Sequence, residues 1–319
     1  MTALLKPGWS RPSTILFATE VPVNQRNFAF ALAQAREFGA KLILFNAYDT
    51  LVVAASESSG IRYYDYVAVA RAEVNHLEPL AKQAHEAGIE CEIVVRPGLA
   101  TDQILSLLRE REVDRVVMGT HAPGPLGKLL VGSVAEAILR SARVPVCIIG
   151  PRTVDGAYRQ FATQTILCAV SLTQASFVVV NFAAELAAEH SARLVLQHVI
   201  RPHENADRPA SRSTEQIEAD LLAMVPEKLR SSLTIHTVVV PGDPTEELLY
   251  QASAQQADLI VLGAHSASAF AAITRQGVVY KALAHAACPV MTLSPVVLTS
   301  CSAHSEQEQP DDVILAGVF

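Results

Sequence analysis

Charge is scarce in this chain: Asp, Glu, Lys and Arg make up 18% of its 319 residues, against 50% that are apolar, and the formal net charge is −7. Disordered chains show the opposite balance, so a folded protein with well-covered sheets is expected. No dense Lys/Arg stripe is present, and an acidic chain offers neither nucleic acid nor an anionic membrane a general attraction. No uncharged apolar run reaches the roughly 18 residues that a membrane-spanning helix needs. The opening MTALLKPGWSRPS has a short apolar stub broken at Lys6 and Pro7, unlike a signal peptide. A cytoplasmic protein without nucleic-acid or membrane partners is the expectation.

Cysteine is sparse as well. The five thiols, Cys91, Cys147, Cys168, Cys288 and Cys301, are odd in number and form no C-x-x-C pair, which suits buried or incidental thiols in a reducing compartment. Histidine and cysteine show none of the close spacings of metal ligands, so no metal site is expected. The G-x-S-x-G elbow is missing, as is a G-x-G-x-x-G turn after the first strand, and no nucleophile-centred enzyme is expected. Read from Ala122, the chain nearly spells a P-loop ending in Gly127 and Lys128, but Leu129 stands where a hydroxyl would hold magnesium.

What the chain does have is an internal repeat. An offset of 144 residues matches Pro97 with Pro241, Gly98 with Gly242, Asp114 with Asp258, Gly119 with Gly263, His121 with His265 and Pro145 with Pro289. Slightly farther apart, STILFATE answers QTILCAVS and AREFGAKLILFNAY answers LAAEHSARLVLQHV. The division this implies is an extension over 1–12, a first domain over 13–151, a linker over 152–163, a second domain over 164–295 and a polar tail over 296–319.

In copy one, continuous apolar runs at 14–18, 41–47, 90–95, 115–118 and 145–149 read as strands buried on both faces. Helix-length segments at 24–38, 66–87, 101–110 and 133–141 separate them. In copy two, Asp243, Pro244 and Glu246 mark a helix start with a capping box. The fold class is α/β: two tandem doubly wound five-stranded parallel-sheet domains, whose ligand crevice lies beyond the carboxyl ends of the strands.

Residues 118–146, MGTHAPGPLGKLLVGSVAEAILRSARVPV, carry a resemblance to the universal stress protein family in its tandem form, and the likeness extends from about Ser13 to Pro295. It implies an adenine nucleotide alpha hydrolase-like fold, a pseudo-dimer of the two copies through the apolar strands VPVCIIG and CPVMTLS, and a universal stress response role that is regulatory rather than catalytic. It also implies ATP or a related adenine nucleotide, with or without magnesium, bound in copy one by Ala18, Thr19, Glu20, Ala47, Met118, Gly119, His121, Ala122, Gly132, Ser133 and Val134. Pairing with a second copy of the chain stays open, and any ATP hydrolysis would be slow.

The sequence departs from the family pattern at the loop. Ala122 replaces its second glycine, Pro123 and Pro125 each remove a backbone donor, and Glu20 replaces an aspartate. Copy two departs further, with Ser171, Ser266, Gln276 and Gly277 at the places of Glu20, Ala122, Gly132 and Ser133, so one nucleotide site at most is expected. Ser133 suits either a phosphate on the free amides of the last helix or ordinary helix capping. Lys128 fits a solvated loop better than a phosphate contact, and His121 and His265 fit either a base or a repeated structural contact. The alternative function is a scaffold that has lost nucleotide binding.

Overall fold

The computed structural model describes residues 6, 8–48, 66–120, 131–154, 163–201, 212–263, 277–294 and 296–297. Copy one runs β1 (Thr14–Ala18), α1 (Gln25–Phe38), β2 (Lys41–Tyr48), α2 (Tyr66–Glu86), β3 (Cys91–Pro97), α3 (Ala100–Glu110), β4 (Arg115–Gly119), α4 (Ser133–Ser141) and β5 (Val146–Ile149). Copy two follows with β6 (Thr165–Ala169), α5 (Gln174–His190), β7 (Arg193–Ile200), α6 (Thr214–Met224), α7 (Glu227–Arg230), β8 (Ile235–Pro241), α8 (Pro244–Ala254), β9 (Leu259–Gly263), α9 (Val278–His285) and β10 (Val290–Leu293). The apolar runs are the strands, with ends shifted by a residue or so: β2 continues past Ala47 to Tyr48 and β3 begins at Cys91.

All ten strands form one sheet in the order β3-β2-β1-β4-β5-β10-β9-β6-β7-β8. Within each copy the pairings are parallel, while β5 and β10 meet antiparallel, Cys147 opposite Met291. The two apolar strands at the end of each repeat thus cover one another, which removes an exposed edge from both. The seam is reinforced by side chains: Ser294 Oγ donates to Ala142 O at 2.5 Å and Thr292 Oγ1 to Val146 O at 3.2 Å.

Side-chain alternation gives the sheet two cores. Ile15, Phe17 and Leu44 face α1, α2, α5 and α6, whereas Leu16, Ile43 and Phe45 face the layer that holds α3, α4, α8 and α9. Each core runs without a break from one copy into the other. α1 starts where Asn24 accepts hydrogen bonds from the Arg26 and Asn27 amides, and ends at Gly39, whose φ of 64° favours a residue with no Cβ. In copy two, Asp243 caps α8 by accepting from the Thr245 and Glu246 amides, with Pro244 in the first turn. Glu246 contributes that amide, and the reciprocal carboxylate bond of a capping box is not formed.

The repeated aspartates have a structural task. Asp114 Oδ2 accepts from Ser13 N at 2.9 Å, Ser13 Oγ at 2.7 Å and Thr14 N at 3.2 Å. Asp258 Oδ2 likewise accepts from Gln164 N at 2.8 Å and Thr165 N at 2.9 Å. Each therefore fixes the first strand of its copy to the fourth.

The residues ahead of β1 are part of the fold. Trp9 is buried, and its carbonyl accepts from the guanidinium of Arg115, which has no exposed surface. Arg115 also donates to Gln34 and lies 5.2 Å from the Phe38 ring centroid. Burial lowers its pKa to about 10, which still leaves it charged at neutral pH. Ser10 donates to Glu185 at 3.5 Å, and Glu37 lies 2.5 Å from His190 Nδ1, so the amino-terminal stretch and α1 both tie copy one to α5.

Cys147, Cys168 and Cys288 are buried, Cys91 is half-buried, and no disulfide links any of them. Cys301 lies outside the described residues. Among the described residues no helix is long and apolar enough to cross a membrane, and no cluster of three metal-ligating side chains occurs.

Candidate functional site

The strand order places β1 between β2 and β4, and the chain leaves β1 toward α1 on one face but leaves β4 toward α4 on the other. This reversal opens a crevice at the carboxyl ends of the strands, the usual ligand position in open α/β sheets. Ala18 pairs with Phe45 and Met118, and Thr19 N extends the ladder by donating to Phe45 O at 2.9 Å. Thr19 and exposed Glu20 follow β1, half-buried Ala47 stands near the end of β2, and Met118 and Gly119 close β4. The structure therefore assembles these six predicted residues along one edge. His121 and Ala122 lie outside the described residues, as do Pro123, Pro125, Gly127, Lys128 and Leu129.

α4 begins on the same side. Gly132 is its N-cap, with φ −63° and ψ 153°, and Ser133 and Val134 are the first helical residues. Ser133 is exposed and does not cap: the cap position belongs to a residue with no side chain, so ordinary serine capping does not account for it. The first hydrogen bond of the helix joins Glu136 N to Gly132 O at 3.0 Å. The amides of Ser133, Val134 and Ala135 precede it and point along the helix axis, where the peptide dipoles favour an anion.

Gly119 has a neighbour that its sequence gives no hint of. A Cβ at this position would overlap Asn27 Nδ2 and come 3.2 Å from Asn27 Cγ. Gly119 is strand backbone with φ outside the left-handed region, so the close approach of α1, and not an unusual dihedral, demands glycine. Asn46 is the other residue missed: its Nδ2 donates to Thr19 O at 3.1 Å and holds the turn after β1. Asn27 Oδ1, Asn46 Oδ1 and Thr120 Oγ1 are all buried along this edge without a partner among the described residues. Orphaned polar atoms are disfavoured unless water or a ligand meets them, so this rim suits a polar occupant.

Copy two builds its counterpart differently. Gly277 is the N-cap of α9, although by repeat position it matches Ser133, so the helix starts one residue later and its first turn lacks the serine. Ser171, at the place of Glu20, joins a hydroxyl cluster 3.2 Å from Ser176 Oγ and 3.3 Å from Thr173 Oγ1. Gln197 replaces Phe45 and is buried, with both amide atoms lacking a partner.

Known proteins match this chain over both copies. The model of the universal stress protein family fits residues 13–150 and again 162–294. A universal stress protein from Mycolicibacterium smegmatis is 26% identical over 191 residues, covering 58% of this chain and 63% of the relative. One from Methanocaldococcus jannaschii is 30% identical over 73 residues, which is 23% of this chain and 43% of the relative, so the match spans less than half of that protein's length. Among solved structures, a universal stress protein from Archaeoglobus fulgidus superposes with a TM-score of 0.69 at 17% identity, over 89% of this chain and 97% of its own, a likeness of fold.

Proposed function

From the chain's membership of the universal stress protein family, we propose that copy one binds ATP or a related adenine nucleotide and serves as a regulatory module of the stress response. The observation that carries this reading is the start of α4: a glycine N-cap followed by Ser133 and Val134, beside the carboxyl ends of β1 and β4. In this arrangement the Ser133 and Val134 amides and the Ser133 hydroxyl take the phosphates, as helix N-termini do. Ala18, Thr19 and Glu20 border the nucleoside, the backbone of Ala47 meets the edge of the base, and Met118 with Gly119 forms the floor. His121 and Ala122 complete the loop side of the proposed contact set. The division into domains 13–151 and 164–295, with extension, linker and tail, goes with this proposal.

Turnover is not part of it. Leu129 supplies no magnesium ligand of the P-loop type, and no described residue is placed as a base for water. A role as a scaffold without nucleotide is the second reading, favoured by one observation: the Asn27 side chain already fills the space over the Cα of Gly119. Titration with fluorescently labelled ATP separates the two. The wild type should bind saturably, Ser133→Ala should weaken binding and Gly132→Asp, which sets a carboxylate against the phosphates, should abolish it. Absence of saturable binding by the wild type would establish the scaffold reading instead.

A further inference from the structure

The first turn of α4 is held from the other copy. Val131, buried and immediately ahead of the Gly132 cap, donates its N–H to Tyr280 Oη at 3.1 Å. Tyr280 belongs to α9 of copy two and is itself 7% exposed. Val131, Glu136 and Leu139 face Val279, Tyr280 and Leu283 across the seam. Removing the tyrosine hydroxyl therefore takes from the Val131 amide its one acceptor among the described residues.

The residue that makes this contact differs in type between the copies, although they are related by repetition. At the repeat offset, the residue of copy one that matches Tyr280 is Glu136, and Glu136 turns back along its own helix to pair with Arg140. The hydroxyl thus reaches the copy that keeps Gly132 and Ser133, and it comes from the copy whose last helix has lost them. We propose that Tyr280 is a positioning residue: through Val131 it fixes the backbone that leads into α4, so that the Ser133 and Val134 amides converge on one anion. This rests on the nucleotide reading above for its ligand, and on the hydrogen bond alone for its mechanics. It makes copy two a structural support for copy one's site.

Calorimetric titration of wild-type protein, Tyr280→Phe and Tyr250→Phe with ATP and with adenosine tests it, together with amide hydrogen exchange on the same three proteins. Tyr250 is 65% exposed on α8 and serves as the control. Loss of one neutral hydrogen bond should weaken ATP binding by Tyr280→Phe about fivefold. Adenosine, which lacks the phosphates, should bind as it does to the wild type, a split that general loosening of the fold would not produce. Exchange at Val131 and the first turn of α4 should accelerate about fivefold or more, with the interior of α9 unchanged. Equal ATP affinity in wild type and Tyr280→Phe would overturn the proposal while leaving nucleotide binding intact. If the wild type binds no ATP, the nucleotide reading falls, and exchange decides alone: faster exchange confined to Val131 and the first turn supports the positioning role, and unchanged exchange overturns it.

Discussion

Substituting Gly119 by alanine separates a packing requirement from a ligand requirement. The backbone there is extended, so alanine meets no dihedral penalty, and replacing a strand glycine ordinarily stabilises by about 0.5–1 kcal/mol through the unfolded state. Against this, the new methyl overlaps Asn27 Nδ2 and lies 3.2 Å from Cγ, with Asn27 only 7% exposed and fixed on the first turn of α1. Overpacking of this kind costs about 1–3 kcal/mol. The expected net effect is therefore a destabilisation of roughly 0.5–2 kcal/mol, read as a lower urea midpoint with an unchanged slope. In an Asn27→Ala background the obstruction is gone, and the same Gly119→Ala change should become neutral or stabilising by up to about 1 kcal/mol. The change of sign is the decisive result. If Gly119→Ala shifts the midpoint equally in both backgrounds, Asn27 is not the reason for the glycine. If it leaves stability alone and removes ATP binding, the glycine is kept for the phosphate.

The buried thiols and the edge-strand carboxylate give two further expectations. Burial raises Cys147, Cys168 and Cys288 to about 12, so Ellman's reagent at pH 8 should label none of them in the native protein and all of them in urea; fast native labelling of any one would contradict the packing at the seam. Glu92 accepts from Arg111 at 2.6 Å and lies 3.1 Å from Lys41 Nζ, and these cations, Arg111 foremost, hold its carboxyl below the usual range. An acid depressed in the folded state contributes stability above its ordinary pKa and loses it as pH falls through the lowered value. Because the group is partly exposed, Glu92→Gln should lower stability at pH 7 by less than about 1 kcal/mol, less still in 1 M salt. The difference from wild type should shrink as pH falls through the lowered value and vanish once the folded-state carboxyl is protonated, and a difference that persists in acid would remove the ionic explanation.

Much of the architecture was legible because its signals are local. Continuous apolar runs fix the strands, and the second copy repeats Pro97, Gly98, Asp114 and Gly119 in the same order, so duplication and strand sequence follow from the letters. The pairing of β5 with β10 was expected from the family resemblance, and the aliphatic letters of both strands agree with it without excluding cover by helices or the tail. Contacts between distant segments were not readable. Arg115 looks like a solvated strand-end residue, yet the carbonyl of Trp9 and the amide of Gln34 surround it. The chain's one tryptophan was the available hint that residues ahead of β1 join the core. Ser133 resembles a cap until Gly132 is seen to hold the cap position, with Ser133 the first helical residue. Tyr280 carries no motif, and its only trace is that the repeat places glutamate and tyrosine at equivalent positions.

The antiparallel seam decides how the two halves could be strung on a single polypeptide. Because β5 and β6 run in opposite senses, the finish of the first half and the beginning of the second lie at the same rim of the sheet, separated by β10 and β9. A short sideways path of about 14 Å is enough, well within the reach of the chain between Ile149 and Thr165. What would be a bimolecular encounter between separate subunits becomes a unimolecular folding step. Dilution should therefore leave the melting temperature of this assembly unmoved, and the mouth of either half can diverge without loosening its grip on the other.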